Sequence, residues 1–272
     1  MPDWMSDPMT WAVPAGRYFG IRVRIHFFFI VLTVTLLLKG MREGGVDGCI
    51  WAVGVTAILF FSVLFHEFGH CFAARAVGGD AEEIMMWPLG GLAFVSVPNT
   101  ARAQFISTVW GPLINVIICL ATGAVLVVSD YTPPLNPLNP LAMHSELQPW
   151  QWHRWVGHAF GLNWLMLLFN MIPAFPMDAG RILRCALWVR IGFGRATLIA
   201  VQVAKLCAMV MGIAGFVLMM GESKTEGLQL VFIAVFVYLM SERERRLLEA
   251  GMLFDESLFG YDFSQGYTSL SQ

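Results

Sequence analysis

The apolar positions of this chain fall into long runs instead of an alternating or heptad pattern. The first, from Ile25 to Leu38, carries no charge. It is shorter than the ~20 residues that cross a bilayer comfortably, and it is read as a span opened by His26. Lys39, Arg42, Glu43 and Asp47 form a polar loop before the second run, Cys49 to Gly78. The third is Ala101 to Val128, the fourth Trp155 to about Met171, the fifth Ala196 to Gly221 with Lys205 inside it, and the sixth Leu228 to Met240. Between the second and third, Ile84 to Val97 reads IMMWPLGGLAFVSV, which is too short and too broken by Gly and Pro to span. Its Leu92–Val97 arm suits a strand, and Gly90-Gly91 would admit another backbone closely; a plain hairpin accounts for the same residues equally well. The pattern predicts an all-α polytopic membrane protein of about six transmembrane helices, with a short membrane-associated strand or hairpin over 84–97. A transmembrane domain over 1–247 is expected, followed by a tail over 248–272.

Composition agrees. The chain is 57% hydrophobic and 13% charged, with a mean hydropathy of +0.64; a soluble domain carries about 25% charged residues. The net charge of −2 says nothing about nucleic acid, and no basic cluster suggests such a partner, so none is expected. The five cysteines lie in or beside apolar runs without paired spacing, as small buried hydrophobes do. Asp3 and Asp7 precede any basic residue, so the N-terminus does not resemble a cleaved signal peptide. Trp4, Trp11 and Tyr18 suit a membrane interface. Arg181 to Arg195 sets four arginines among Leu183, Leu187, Trp188 and Ile191, a pattern suited to a helix lying on the membrane surface. With both ends inside, twelve basic residues from Arg17 to Arg246 fall on the inner side against Lys39, Arg42, Arg154 and Lys224 outside. That bias places both termini and the inner ends of the second and fourth spans in the cytoplasm of a cell-membrane protein.

The chemistry lies in the second run, which ends in His66-Glu67-Phe68-Gly69-His70. Residues four apart on a helix share a face, so His66 and His70 can grip one zinc ion. Glu67 then sits beside the metal without ligating it, placed to take a proton from water. Glu67 is the only acidic residue between Asp47 and Asp80, in a segment where an ionisable group is costly without a purpose. The fourth run ends in NMIPAFPMDAGR, Asn170 to Arg181, and Asp178 is the only acidic residue between Glu146 and Glu222. A catalytic zinc site needs a third protein ligand, and Asp178 meets that need by elimination and by chemistry. Gly111-Pro112 loosens the third span, and Asn115 brings an amide to the same depth. The alternative is a non-proteolytic membrane metal-binding protein or transporter, which would favour several carboxylates along a midplane path and no glutamate to spare. A zinc peptidase acting on soluble or lipidated chains would take its third ligand from a downstream Glu helix instead.

Three ordered motifs carry a resemblance: His66-Glu67-x-x-His70, Gly111-Pro112-Leu113-Ile114-Asn115, and Asn170-x-x-Pro173-x-x-Pro176-x-Asp178-x-Gly180. Together with the FGIRVRIHFFFI opening from Phe19, they resemble the site-2 protease family, zinc metalloproteases that cut peptide bonds within the membrane. The resemblance implies one zinc per chain on His66, His70 and Asp178, with Glu67 as general base. It implies an oxyanion contact from Asn115 or Asn170, and a Gly90-Gly91 segment that receives substrate as an extended strand. The chain has Asp178-Ala179-Gly180 where members most often carry a second glycine, a small change. The expected partners are a membrane-protein substrate and the lipid bilayer. A compact type without a PDZ or CBS domain is expected, with regulation left to a separate membrane partner.

Overall fold

The computed structural model describes residues 11–87, 90–136, 141, 151–221 and 224–251. Trp4, residues 137–140 and 142–150 of the proline-rich loop, Pro88, Leu89 and the tail from residue 252 lie outside the described residues. The chain divides into two compact units, Met1–Val95 with Trp110–Leu168, and Ser96–Val109 with Phe169–Gln272.

The first unit opens on a hairpin of β1 (Ala12–Tyr18) and β2 (Ile21–His26). Its turn residues Phe19 and Gly20 both have positive φ, 53° and 80°. That handedness matches the twist of the two strands it joins. In β2 the residues alternate: Ile21 and Val23 are buried while Arg22 and Arg24 face outward. This period-two signal lies just ahead of the expected first span, and it makes the sheet larger than the 84–97 segment alone. β3 (Asp80–Trp87) and β4 (Gly90–Ser96) complete it in the order β1-β2-β3-β4, with β2 and β3 parallel. Arg24 donates to Glu83 across that parallel pair at 3.2 Å. The parallel step needs a crossover, and α1 (Phe27–Ala76) supplies it.

His26 starts α1 by accepting the Phe28 N–H on Nδ1 at 3.2 Å, with its ring stacked on Trp87 at 3.8 Å. It is a helix cap, in keeping with leaving it out of the metal set. α1 is two limbs, 27–44 and 46–76, broken at Gly45 with φ 57°. Phe29 meets Phe60 and Gly40 meets Gly48, so the limbs run antiparallel, with Arg42, Glu43 and Asp47 at the turn. Gly40 and Gly48 touch backbone to backbone, which a side chain at either would forbid. The second limb packs Val63, Leu64, Phe68 and Cys71 on Ile21, Val23, Ala81, Ile84 and Met86 of the sheet. α2 (Ala101–Val128) and α3 (Trp152–Asn170) follow, with Cys119 and Leu126 packed on Phe160.

The second unit holds α4 (Asp178–Ile191), α5 (Phe193–Met220) and α6 (Lys224–Glu249). Gly192, at φ 81°, turns α4 into α5. Gly212 lies by Ala234 and Gly215 by Gly227, so α5 and α6 are antiparallel, and at the second pair the backbones touch. Small residues allow this close contact in lipid, where dispersion and backbone proximity replace the hydrophobic drive. Lys205, the charge inside the fifth run, reaches Glu242 of α6 at 2.6 Å and lies over the Tyr238 ring. Arg184 does not lie on a surface, as the four-arginine pattern had suggested. Its side chain is 9% exposed and pairs with Glu244 at 2.7 Å, because a buried guanidinium needs a carboxylate in place of water.

By length and composition α1, α2, α5 and α6 could each cross a membrane. Their outer faces carry exposed Phe61, Phe65, Leu120, Leu206, Phe216, Phe232 and Leu239, which suits contact with lipid. α3 coincides with the expected fourth span, but His153, Arg154, His158 and Asn163 make it more polar than those four. Replacing Gly227 by Val is expected to cost about 1–3 kcal/mol by forcing α5 and α6 apart. Gly194→Ala, with open space around it, should leave stability unchanged. Thermal unfolding in detergent micelles compares the two.

Candidate metal centre

The apolar second limb of α1 carries two imidazoles and a carboxylate near its end, all buried. His66 is 4% exposed, Glu67 6% and His70 7%. One helical turn separates the histidines, and their Nε2 atoms stand 3.1 Å apart. Two nitrogens on one tetrahedral zinc at ~2.0–2.1 Å would be ~3.3 Å apart. The pair is therefore already spaced as ligands.

α2 makes this spacing fit. A side chain at Gly69 would lie 2.7 Å from the Trp110 carbonyl oxygen, so the two helices meet without one. A side chain at Gly111 would lie 2.8 Å from His66 Nε2 and closer still to His70. The backbone of α2 thus forms the floor under the imidazoles. Pro112 follows directly and withdraws one helical N–H there. Asn115, one turn further on the same face as Gly111, is completely buried, and neither its Nδ2 nor its Oδ1 has a partner among the described residues. A buried amide in that state is costly, and a ligand with a matching polar atom would relieve it.

Strand β4 lies over Glu67. The Ala93 N–H donates to Glu67 Oε2 at 3.1 Å. A side chain on Gly91 would fall 2.6 Å from Glu67 Cδ and 2.7 Å from Oε1, so only glycine lets the strand come this close. Gly90 opens β4 at φ 151° with nothing near its Cα–H. The backbone at position 91 lies against the chain's own Glu67 side chain, where the sequence pattern had suggested room for a second backbone. Ala93 went unread, because a main-chain donor leaves no trace in residue type.

Asp178 belongs to the second unit. It is the first residue of α4, follows Met177 in extended conformation, and is 7% exposed. The segment before it folds back on the helix: a side chain on Gly180 would lie 2.6 Å from the Ala174 carbonyl carbon. Ala174 and Met177 pack into a core with Ala204, Ala208 and Val237. Asn170 ends α3, half-buried. His158, another histidine of the fourth apolar run, sits edge-on to Trp51 and Trp155. Trp51 precedes His66 by fifteen residues, ~22 Å along the helix, so His158 belongs to a different level of the bundle.

Two glycines make separable predictions. Gly111→Ala should push the imidazoles apart and weaken zinc binding about 10–100-fold. Gly91→Ala should displace Glu67 and leave zinc affinity near that of the unaltered chain. Zinc titration with a competing chelator measures both.

A model for peptidase family M50 matches residues 54–211, more than half of the chain and all three motifs. A zinc metalloprotease of Methanocaldococcus jannaschii is 30% identical over 249 residues, covering 90% of this chain and 64% of its own length. A Mycobacterium tuberculosis protein named as a zinc metalloprotease, Rip3, is 28% identical over 258 residues, covering 89% and 61%. The chain thus spans less than two thirds of the length of these two relatives. Among solved structures, a site-2 protease from Methanocaldococcus jannaschii superposes with a TM-score of 0.55 at 26% identity, over 87% of this chain and 96% of that one. On the extent of the family match and the motifs it contains, the chain belongs to peptidase family M50.

Proposed function

We propose that the chain is a zinc endopeptidase that cuts a membrane-embedded segment of another membrane protein, with His66, His70 and Asp178 as ligands and Glu67 as general base. The observation that carries this reading is the imidazole pair at ligand spacing with Glu67 buried beside it. Asp178 adds a third donor of the type that catalytic zinc sites use, each of the three residues offering one ligand atom. The names of the relatives and the apolar helices support zinc and a membrane setting. Bound zinc would supply Lewis acidity toward water and the scissile carbonyl. Glu67 takes the proton of the attacking water and returns it to the leaving nitrogen. The Ala93 N–H keeps one carboxylate oxygen aimed while the other works. The unpaired Asn115 amide donates to the oxyanion, and Asn170 is a second donor in this reading.

A substrate helix must unwind before its bond is exposed, and its freed N–H and C=O groups find no water in lipid. β4 closes the sheet order and offers an edge, so strand pairing along Gly90, Gly91 and their neighbours replaces those hydrogen bonds. In this reading both termini and the site lie toward the cytoplasm, the bilayer is a partner, a separate membrane protein regulates access, and nucleic acid has no part. Reporter fusions at either end test the orientation; an extracytoplasmic signal would reject it.

Purified protein in nanodiscs, with a labelled transmembrane peptide, tests the chemistry. Glu67→Gln should keep one zinc per chain and reduce cleavage by about 10²–10⁴-fold. Asp178→Ala should lower zinc occupancy and cleavage together. Full zinc occupancy in Asp178→Ala would remove Asp178 from the ligand set, and cleavage retained by Glu67→Gln would remove the base.

A further inference from the structure

Arg184 lies on the same helix as Asp178, six residues later, ~9 Å along its axis. Its guanidinium carbon stands 5.6 Å from the ring centre of Phe175 and 5.0 Å from that of Phe193. Phe175 belongs to the segment that delivers Asp178, and Phe193 is the first residue of α5. The Nη1 of Arg184 donates to Glu244 Oε1 on α6 at 2.7 Å, with both side chains about nine-tenths buried. The Nε of Arg184 is buried without a partner among the described residues. One cation therefore touches the incoming segment, the α4–α5 elbow and the last turns of α6.

Such a pair is a poor choice for stability alone. Removing two charges from water costs several kcal/mol, and apolar residues of equal volume hold helices together at least as well. A buried cation does impose direction, since it tolerates only arrangements that keep its carboxylate and rings in place. Gly180 presses the incoming segment on α4 from the other side of the turn, through Ala174. In sequence Asp178 lies inside the span of both contacts, Ala174 with Gly180 and Phe175 with Arg184.

We propose that Arg184 and Glu244 are positioning residues for the metal ligand Asp178. The pair fixes the incoming Phe175–Asp178 turn against α6, and so makes the end of α6 a control point for metal affinity. This rests on Asp178 being a ligand, as argued above.

The test uses Co2+ bound to the full chain in nanodiscs, read by affinity and by the visible absorption of the ion, with no substrate needed. Arg184→Met should weaken Co2+ binding about tenfold and alter the spectrum. In an Asp178→Ala background the same change should have no further effect, because it acts only through that carboxylate. Glu244→Gln should behave like Arg184→Met, and it takes over the test if the arginine variant does not fold. Lys205→Met removes the pair that Lys205 of α5 makes with Glu242 of α6 and should leave Co2+ binding unchanged. Wild-type affinity and spectrum in both Arg184→Met and Glu244→Gln would overturn the proposal, as would equal losses with and without Asp178. If Asp178→Ala alone leaves affinity unaltered, the ligand assignment itself has failed, and the positioning role with it.

Discussion

Two imidazoles and a carboxylate lie buried in an apolar helix, and this arrangement tolerates little error in distance. The packing of α1 against α2 is arranged around it. Gly69 and Gly111 bring the two backbones together where any side chain would strike a carbonyl or an imidazole. The 3.1 Å separation of the Nε2 atoms depends on that close contact, because a wider gap would let the rings rotate to other rotamers. Pro112 and the unpaired Asn115 fall on the next turn of the same wall. Residues that look unfavourable for a membrane helix are thus gathered beside the histidine pair.

The sheet serves the same end from the other side. Its two central strands are held by a core of Ile21, Val23, Ile84 and Met86 against the second limb of α1. This anchoring carries β4 over Glu67, where Gly91 and the Ala93 N–H meet the carboxylate. A strand whose backbone engages Glu67 would, in the proposed function, link substrate pairing to the position of that carboxylate. The second unit answers with its own rigidity. α5 and α6 touch at Gly215 and Gly227, and the Arg184–Glu244 pair braces the turn that ends in Asp178.

The sequence by itself determined much about this protein. Long apolar runs reveal helices because the bilayer, unlike a globular core, rewards hydrophobicity over ~20 consecutive residues. The H-E-x-x-H spacing is legible because one helical turn fixes the geometry locally, with no distant contact required. Asp178 stood out because carboxylates are rare among apolar residues. What only the tertiary structure decided depends on partners far away in the chain. The β1-β2 hairpin joins β3 in one sheet because Val23 meets Ile84 across an intervening fifty-residue helical hairpin. Arg184 is buried because Glu244 arrives sixty residues later; in the local pattern it was one more arginine on a surface helix. Gly69, Gly91 and Gly111 are clearances for a neighbouring element, and a missing side chain does not name its neighbour. The Ala93 amide that holds Glu67 belongs to every residue type but proline, so its role comes from position in space alone.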